Sequence, residues 1–216
     1  MMVELYKNVS PVLITRYKER EENVKIDVFS AYISLLKQTR NWVTVYQTGN
    51  EEESGPLQLL QNQVPNIIKT LHKQLKEKSV KTRQGSFSLL LELINVIPGC
   101  LNDHLDILIP GILFSLNDKS STSNIKIDTL VFLNVLLKTH QPEVFHPFLN
   151  DLLSAIIQSV EDTFYRISSE GLVVLTQLIK VIRPTPNDTQ FVNCIEPIYK
   201  CTFAKLGNLI RFIFNL

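Results

Sequence analysis

The chain is 216 residues long, 44% hydrophobic, 20% charged and 8% aromatic, a balance that fits a globular protein and excludes disordered, collagen-like and disulfide-rich classes. Lys plus Arg number 22 against 21 for Asp plus Glu, so no overall field attracts nucleic acid or an acidic membrane surface. Three cysteines, Cys100, Cys194 and Cys201, form an odd set without metal-ligand spacing, which points to a reduced, intracellular setting and a chain held by its core.

The stretch from Met1 to Lys25 carries no secretory pattern, because Lys7 and Arg16 interrupt the apolar run. LIPGILFSL, at 108–116, falls far short of the roughly 20 apolar residues a membrane helix needs. These features predict a soluble protein that is not exported. Asn8-Val9-Ser10 and Asn187-Asp188-Thr189 match the glycosylation tripeptide by chance frequency and need a secretory route to matter.

In chain order, apolar residues recur at three and four positions, predicting helices near 3–20, 24–40, 57–77, 80–97, 101–117, 124–139, 142–160 and 164–183, with a last one from about 190. A period joins them. VKIDVF at 24–29 returns as IKIDTL at 125–130, and apolar-basic pairs open four helices: Val24-Lys25, Val80-Lys81, Ile125-Lys126 and Tyr165-Arg166. Upstream of each lies a helix with one proline, as in VSPVLITRY, QVPNIIKTL, LIPGILFSL and FHPFLNDLL, and CIEPIYKCTF follows the same form. Proline fixes φ and removes a donor, so it opens or bends a helix.

The steps from Val24 to Val80, Ile125 and Tyr165 predict a HEAT-type array of two-helix units, whose period is roughly 40–47 residues, the first step being stretched by an insertion. The expected fold is an all-α HEAT-repeat α-solenoid, a right-handed superhelix of antiparallel helix pairs that fills residues 1–216 as one array. Four complete units are expected at 3–40, 57–97, 101–139 and 142–183, with a partial fifth at 190–216. Stacking gives each pair the partner its apolar face lacks alone. The link 41–56, with Glu51, Glu52 and Glu53, reads as a solvated loop before it reads as a docking site. The end, GNLIRFIFNL, lacks the turn and second helix of a full unit, which predicts exposed apolar surface at both ends of the array and end-to-end association.

No constellation for catalysis stands out. His72, His104, His140 and His146 have no carboxylate or cysteine companions at ligand or triad spacing, and Gly99, Gly111 and Gly171 are isolated where a phosphate loop would cluster them. The expectation is a protein that is not an enzyme and carries no cofactor or metal. Cys194 and Cys201, two turns apart on one helix, are too distant to pair without distortion and read as packing residues.

Charge is uneven in one place, KTLHKQLKEKSVKTR at 69–83, where Lys69, Lys73, Lys76, Lys78, Lys81 and Arg83 face a single Glu77. Lys69, Lys73 and Lys76 form a stripe that reads as a solvated face or as a dock for an acidic protein surface. Nucleic acid is disfavoured because no aromatic residues interleave with the bases. Lys81, Gln84 and Ser88 lie at helical spacing on a mixed polar wall that suits a broad protein partner. Lys25 and Lys126 read as ladder residues reaching the polar turns of neighbouring units, and Asp27 and Asp128 as first-turn acids complementing the helix dipole.

These strings resemble a known family. VSPVLITRYKEREENVKIDVFSAYISLLKQTR, QVPNIIKTLHKQLKEKSVKTR, GILFSLNDKSSTSNIKIDTL and VFHPFLNDLL are similar to the central HEAT repeats of the cullin-associated, neddylation-dissociated proteins, from about Val3 to Leu206, the second, muscle-enriched branch being the nearer. The resemblance implies a superhelix that wraps an unneddylated cullin with its RING subunit and promotes exchange of substrate-receptor adaptors, in nucleus and cytoplasm. The family's terminal repeats, to which those activities are attributed, have no counterpart here, and GNLIRFIFNL departs from the family pattern. The alternative is a HEAT adaptor, such as a transport-receptor fragment, binding another protein.

Overall fold

The computed structural model describes residues 2–46, 55–118, 121–182 and 192–214, and among these no strand is present. Ten α-helical segments follow one another. A first helical stretch is made of α1 (Met2–Glu4), a π-helical turn at Leu5–Val9, α2 (Ser10–Thr15) and a 3₁₀ turn at Arg16–Lys18. Its partner is α3 (Glu22–Tyr46). The pairs that follow are α4 (Gly55–Leu71) with α5 (Val80–Val96), α6 (Leu105–Asn117) with α7 (Ser123–Thr139), and α8 (Leu149–Glu161) with α9 (Tyr165–Ile182). The last segment is α10 (Val192–Phe214).

The prolines explain the shape of the first helix in each unit. Pro11 has no N–H for the carbonyl of Lys7, and the backbone meets this with a π turn in which the Ser10 N–H bonds to Leu5 O. Pro65, Pro110 and Pro197 lie inside α4, α6 and α10, and Pro147 lies inside the 3₁₀ segment Pro142–Phe148 that leads into α8. All five are exposed, so the carbonyls they release face water.

The helices form two layers. Packing is densest along α3, α5, α7 and α9, whereas α4, α6, α8 and α10 touch one another less, so the array curves toward the α3–α9 layer. One continuous core runs between the layers, from Tyr6 and Tyr17 through Leu60, Ile68, Phe87, Leu108 and Phe132 to Ile156 and Leu178. At the first unit, Tyr17 packs edge-on against Phe29 and Tyr32 at 5.4 and 5.6 Å, and the Tyr6 hydroxyl bonds to Thr39 Oγ1 at 2.6 Å. Two glycines allow layers to close: a Cβ on Gly171 would stand 2.9 Å from the backbone nitrogen of Val160 in α8, and one on Gly111 would stand 2.7 Å from Leu75 Cβ. This is the HEAT-repeat α-solenoid that the period implies, since α5, α7 and α9 start at Val80, Ser123 and Tyr165, steps that fall within the HEAT period of roughly 40–47 residues.

Three local expectations change. Helix α3 starts at Glu22 and continues to Tyr46, so positions 41–46 of the expected link 41–56 are helical, while Glu51, Glu52 and Glu53 lie outside the described residues. The expected helix 57–77 starts at Gly55 as α4, leaves α geometry after Leu71 and ends as a 3₁₀ turn, His72–Lys76. Because α3 and α7 start earlier than expected, Asp27 and Asp128 sit in their second turns, and Asp128 accepts a hydrogen bond from Gln84 Nε2 at 2.6 Å instead of capping a dipole.

Candidate functional site

A ladder of polar contacts joins the units. The fourth residue of each inner-layer helix is Lys25, Arg83, Lys126 and Ser168. Lys25 Nζ donates to Gln74 Oε1 in the next unit at 2.9 Å. Arg83 Nη1 donates to Ser121 Oγ at 3.0 Å and lies 3.5 Å from the Asp118 carboxylate, both in the turn between α6 and α7. Lys126 Nζ lies 3.3 Å from Asp162, in the turn between α8 and α9. Ser168 turns back instead, donating to Val160 O at 2.7 Å.

The ladder reading of Lys25 and Lys126 matches these contacts, but in the second unit the rung is Arg83 and not the aligned Lys81. Ser79 decides this register, because its Oγ accepts from the Thr82 N–H at 3.1 Å and fixes Val80 as the first helical residue. Arg83 is 1% exposed, with its guanidinium 5.4 Å from the Phe114 ring centroid. It is therefore withdrawn from the expected partner surface.

The other expected contact residues lie on the outside and divide into two groups. Lys69, at the end of α4, and Lys73 and Lys76, on the 3₁₀ turn, flank the 77–79 turn with Lys78 and Lys81, and all five are exposed. On α5, Lys81 and Ser88 are exposed and Gln84 half-buried, at spacings that put all three on one face of the inner layer. The Asp118 and Asp162 carboxylates are engaged by Arg83 and Lys126, whereas the 69–81 lysines carry their charge outward.

Sequence reasoning missed a concavity in the wall. An open groove of about 580 Å³ crosses the inner layer from Gln84 of α5 over Ile127 and Asp128 of α7 to Tyr165, Arg166 and Glu170 of α9. Tyr165 is 72% exposed and packs edge-on against Phe164 at 5.4 Å. Consecutive aromatics at a turn that is polar in the other units were the available signal. The groove is shallow and mixed in polarity, which suits side chains of a protein surface better than a small molecule.

The histidines are scattered. His72 Nδ1 meets Ile68 O at 3.1 Å, and His146 Nε2 lies 3.3 Å from Val181 O. His140 is 6% exposed; its Nε2 accepts from the Leu101 N–H at 3.1 Å and its Nδ1 meets Leu136 O at 3.1 Å, binding the α5–α6 turn to the end of α7. Burial pulls its pKa down to about 4. Burial likewise pushes the Cys100 thiol up to about 12, and the Cys194 and Cys201 thiols upward. Among the described residues no three His, Cys, Asp or Glu side chains come together to hold a metal, and no helix is long and apolar enough to cross a membrane.

The family description "CAND1-like, TPR repeats" matches residues 99–209. The steps between Val80, Ser123 and Tyr165 are nearer the HEAT period than the period of about 34 residues that the TPR name denotes. Across 95% of its length the chain is 48% identical to Cullin-associated NEDD8-dissociated protein 1 of Drosophila melanogaster. It is 46% identical over 96% to the Arabidopsis thaliana protein of that name, and 44% over 85% to Cullin-associated NEDD8-dissociated protein 2 of Mus musculus. These identities do not single out the second branch. The chain spans 17% of the length of the first two relatives and 15% of the third. Among solved structures, a chain of the Rix1-Rea1 pre-60S particle is similar with a TM-score of 0.57 at 16% identity, over 95% of this chain and 81% of that one, a likeness that concerns fold alone. With more than half of its residues matching that description and its ladder, layers and period all of one kind, the chain belongs to the family of cullin-associated, NEDD8-dissociated proteins.

Proposed function

We propose that the chain is a non-enzymatic segment of a cullin-binding solenoid, which contributes to the assembly of cullin-RING ubiquitin ligases by adaptor exchange in nucleus and cytoplasm. The observation that carries this reading is the identity of 48% and 46%, along almost the whole chain, to proteins named for their association with cullins. The partner is an unneddylated cullin with its RING subunit. Its contact is the inner wall, with Lys81, Gln84 and Ser88 beside the aromatic groove, and the Lys69, Lys73 and Lys76 cluster steers encounter with acidic surface. End-to-end association through the apolar ends of the array is part of the same reading.

Binding of a purified unneddylated cullin–RING pair, set against an unrelated cargo protein and measured at two salt concentrations, tests this. The triple variant Lys69→Glu, Lys73→Glu, Lys76→Glu is expected to slow association at low salt and to approach the parent at high salt. An unchanged on-rate assigns the lysines to a solvated face. Equal binding of the unrelated cargo contradicts the cullin reading.

A further inference from the structure

The rungs at Lys25, Arg83, Lys126 and Ser168 give the four inner helices a common register, and twelve residues after each rung stand Lys37, Asn95, Lys138 and Lys180. All four are exposed. Helices α5 and α7 have an inner-layer neighbour on either side and the outer layer behind them, so the exposure of Asn95 and Lys138 is independent of the ends of the array and places the row on the open inner wall. The same register sets Asp27, Asp128 and Glu170 in a second row two residues after the rungs, about 15 Å nearer the helix starts. The wall is thus banded, acids toward the helix starts and lysines toward their ends, although the net charge of the chain is only +1.

The helix dipole accounts for part of this pattern. Lys138 and Lys180 lie in the last turns of α7 and α9, where a cation complements the carbonyl end, but Lys37 stands more than two turns before the end of α3 at Tyr46. What the three share is their place in the array. None of them forms a salt bridge with another described residue, whereas Arg40, three residues beyond Lys37, is engaged by Glu92 at 2.8 Å.

We propose that this row binds an extended acidic segment of a partner protein, laid across the inner helices. Neighbouring packed helices stand about 8–10 Å apart, and a polyproline II segment turns once in three residues with a rise of about 9 Å. Acids at every third residue therefore fall opposite successive helices, three of them on Lys37, Lys138 and Lys180 and one on the amide of Asn95. An extended segment also follows the curve of the wall, which a straight helix of the same span would touch only at its ends. Nucleic acid fits less well, because the charges of a strand crowd at about 3.4 Å and the row holds no aromatic side chain on which bases stack. The inference rests on the reading of the inner wall as a contact face and names the chemistry of what meets it near the helix ends.

Fluorescence anisotropy of a dye-labelled peptide of four Glu-Pro-Pro repeats with the 216-residue chain tests the proposal, the controls being a Lys-Pro-Pro counterpart and a peptide of the same composition whose glutamates are contiguous. The spaced acidic peptide is expected to bind more tightly than either control. Lys37→Gln with Lys138→Gln and Lys180→Gln weakens it about eightfold, a factor of about two for each exposed charge contact, while Lys69→Gln with Lys73→Gln and Lys76→Gln stays within about twofold of the parent. Zero-length carbodiimide coupling, read by mass spectrometry, joins the peptide to Lys37, Lys138 and Lys180. All six lysines are exposed, and an unchanged melting temperature confirms that both variants fold. No binding at millimolar peptide, equal binding of either control, a greater loss in the Lys69 variant, or coupling of the row to acids of the chain itself without peptide overturns the proposal. Tighter binding of a single-stranded oligonucleotide of equal charge overturns it in favour of nucleic acid. Cullin binding is not read in this experiment, so the row and the cullin reading stand or fall separately.

Discussion

Replacing Arg83 by Ala separates a rung of the ladder from a partner contact. The side chain is 1% exposed, donates to Ser121 Oγ at 3.0 Å, approaches Asp118 at 3.5 Å and lies over the Phe114 ring. Truncation removes about 1–1.5 kcal/mol of buried aliphatic stem and about 1.5–2 kcal/mol of charge-assisted hydrogen bonding. Asp118 retains 22% side-chain exposure and regains water, which holds the loss near the lower end of what breaking a buried pair costs, about 3 kcal/mol. In a domain of this size that is a fall of roughly 6–12 °C in Tm. Thermal unfolding followed by circular dichroism measures it, with Lys81→Ala, an exposed control, expected within about 0.5 kcal/mol of the parent. Arg83→Met, which keeps the stem on Phe114, is expected to recover part of the loss. If Arg83→Ala melts within about 2 °C of the parent, Arg83 is not a structural rung and the reasoning is wrong.

Three other substitutions or treatments probe separate features. His140 is held neutral by burial, with its pKa pulled from 6.5 to about 4; the unfolded chain therefore takes up the proton first, and stability is full above pH 6.5 and declines as the pH falls toward 4. At pH 5 the loss is at most about 2 kcal/mol, from roughly 1.36 kcal/mol per pKa unit, and His140→Asn, compared with the parent in urea titrations at pH 7.5 and 5, should remove that share of the pH dependence. Gly171→Ala forces a Cβ to 2.9 Å from backbone that cannot yield, for a net loss of about 1–3 kcal/mol, whereas Gly207→Ala, whose Cβ meets nothing within 4 Å, gains up to about 1 kcal/mol in chemical denaturation. Cys100, buried and with its thiol pushed up to about 12, should resist maleimide at pH 8 in the native protein and react once urea is added.

Much of the fold was written in periodicity, because alternating apolar stripes and recurrent prolines report directly on which helix faces stack. The ladder was legible at Lys25 and Lys126, where VKIDVF and IKIDTL repeat the same register. It failed at Arg83, since an apolar-basic pair at Val80-Lys81 mimics the motif two residues early, and the deciding signal was the cap at Ser79. The extension of α3 to Tyr46 was hidden by the polar residues after Lys37, which packing against α5 overrides through Arg40, 2.8 Å from Glu92. The groove beneath Tyr165 could not be read from spacing at all, because its walls come from three helices brought together by stacking.

The claim that this array contributes an inner wall to a cullin complex is tested most directly by hydrogen–deuterium exchange on the chain with and without a saturating unneddylated cullin–RING pair. Slowed exchange along the exposed faces of α5, α7 and α9, centred on the groove from Gln84 to Glu170, is the predicted result. Exchange unchanged across those helices, or slowed equally by an unrelated protein, would contradict the account.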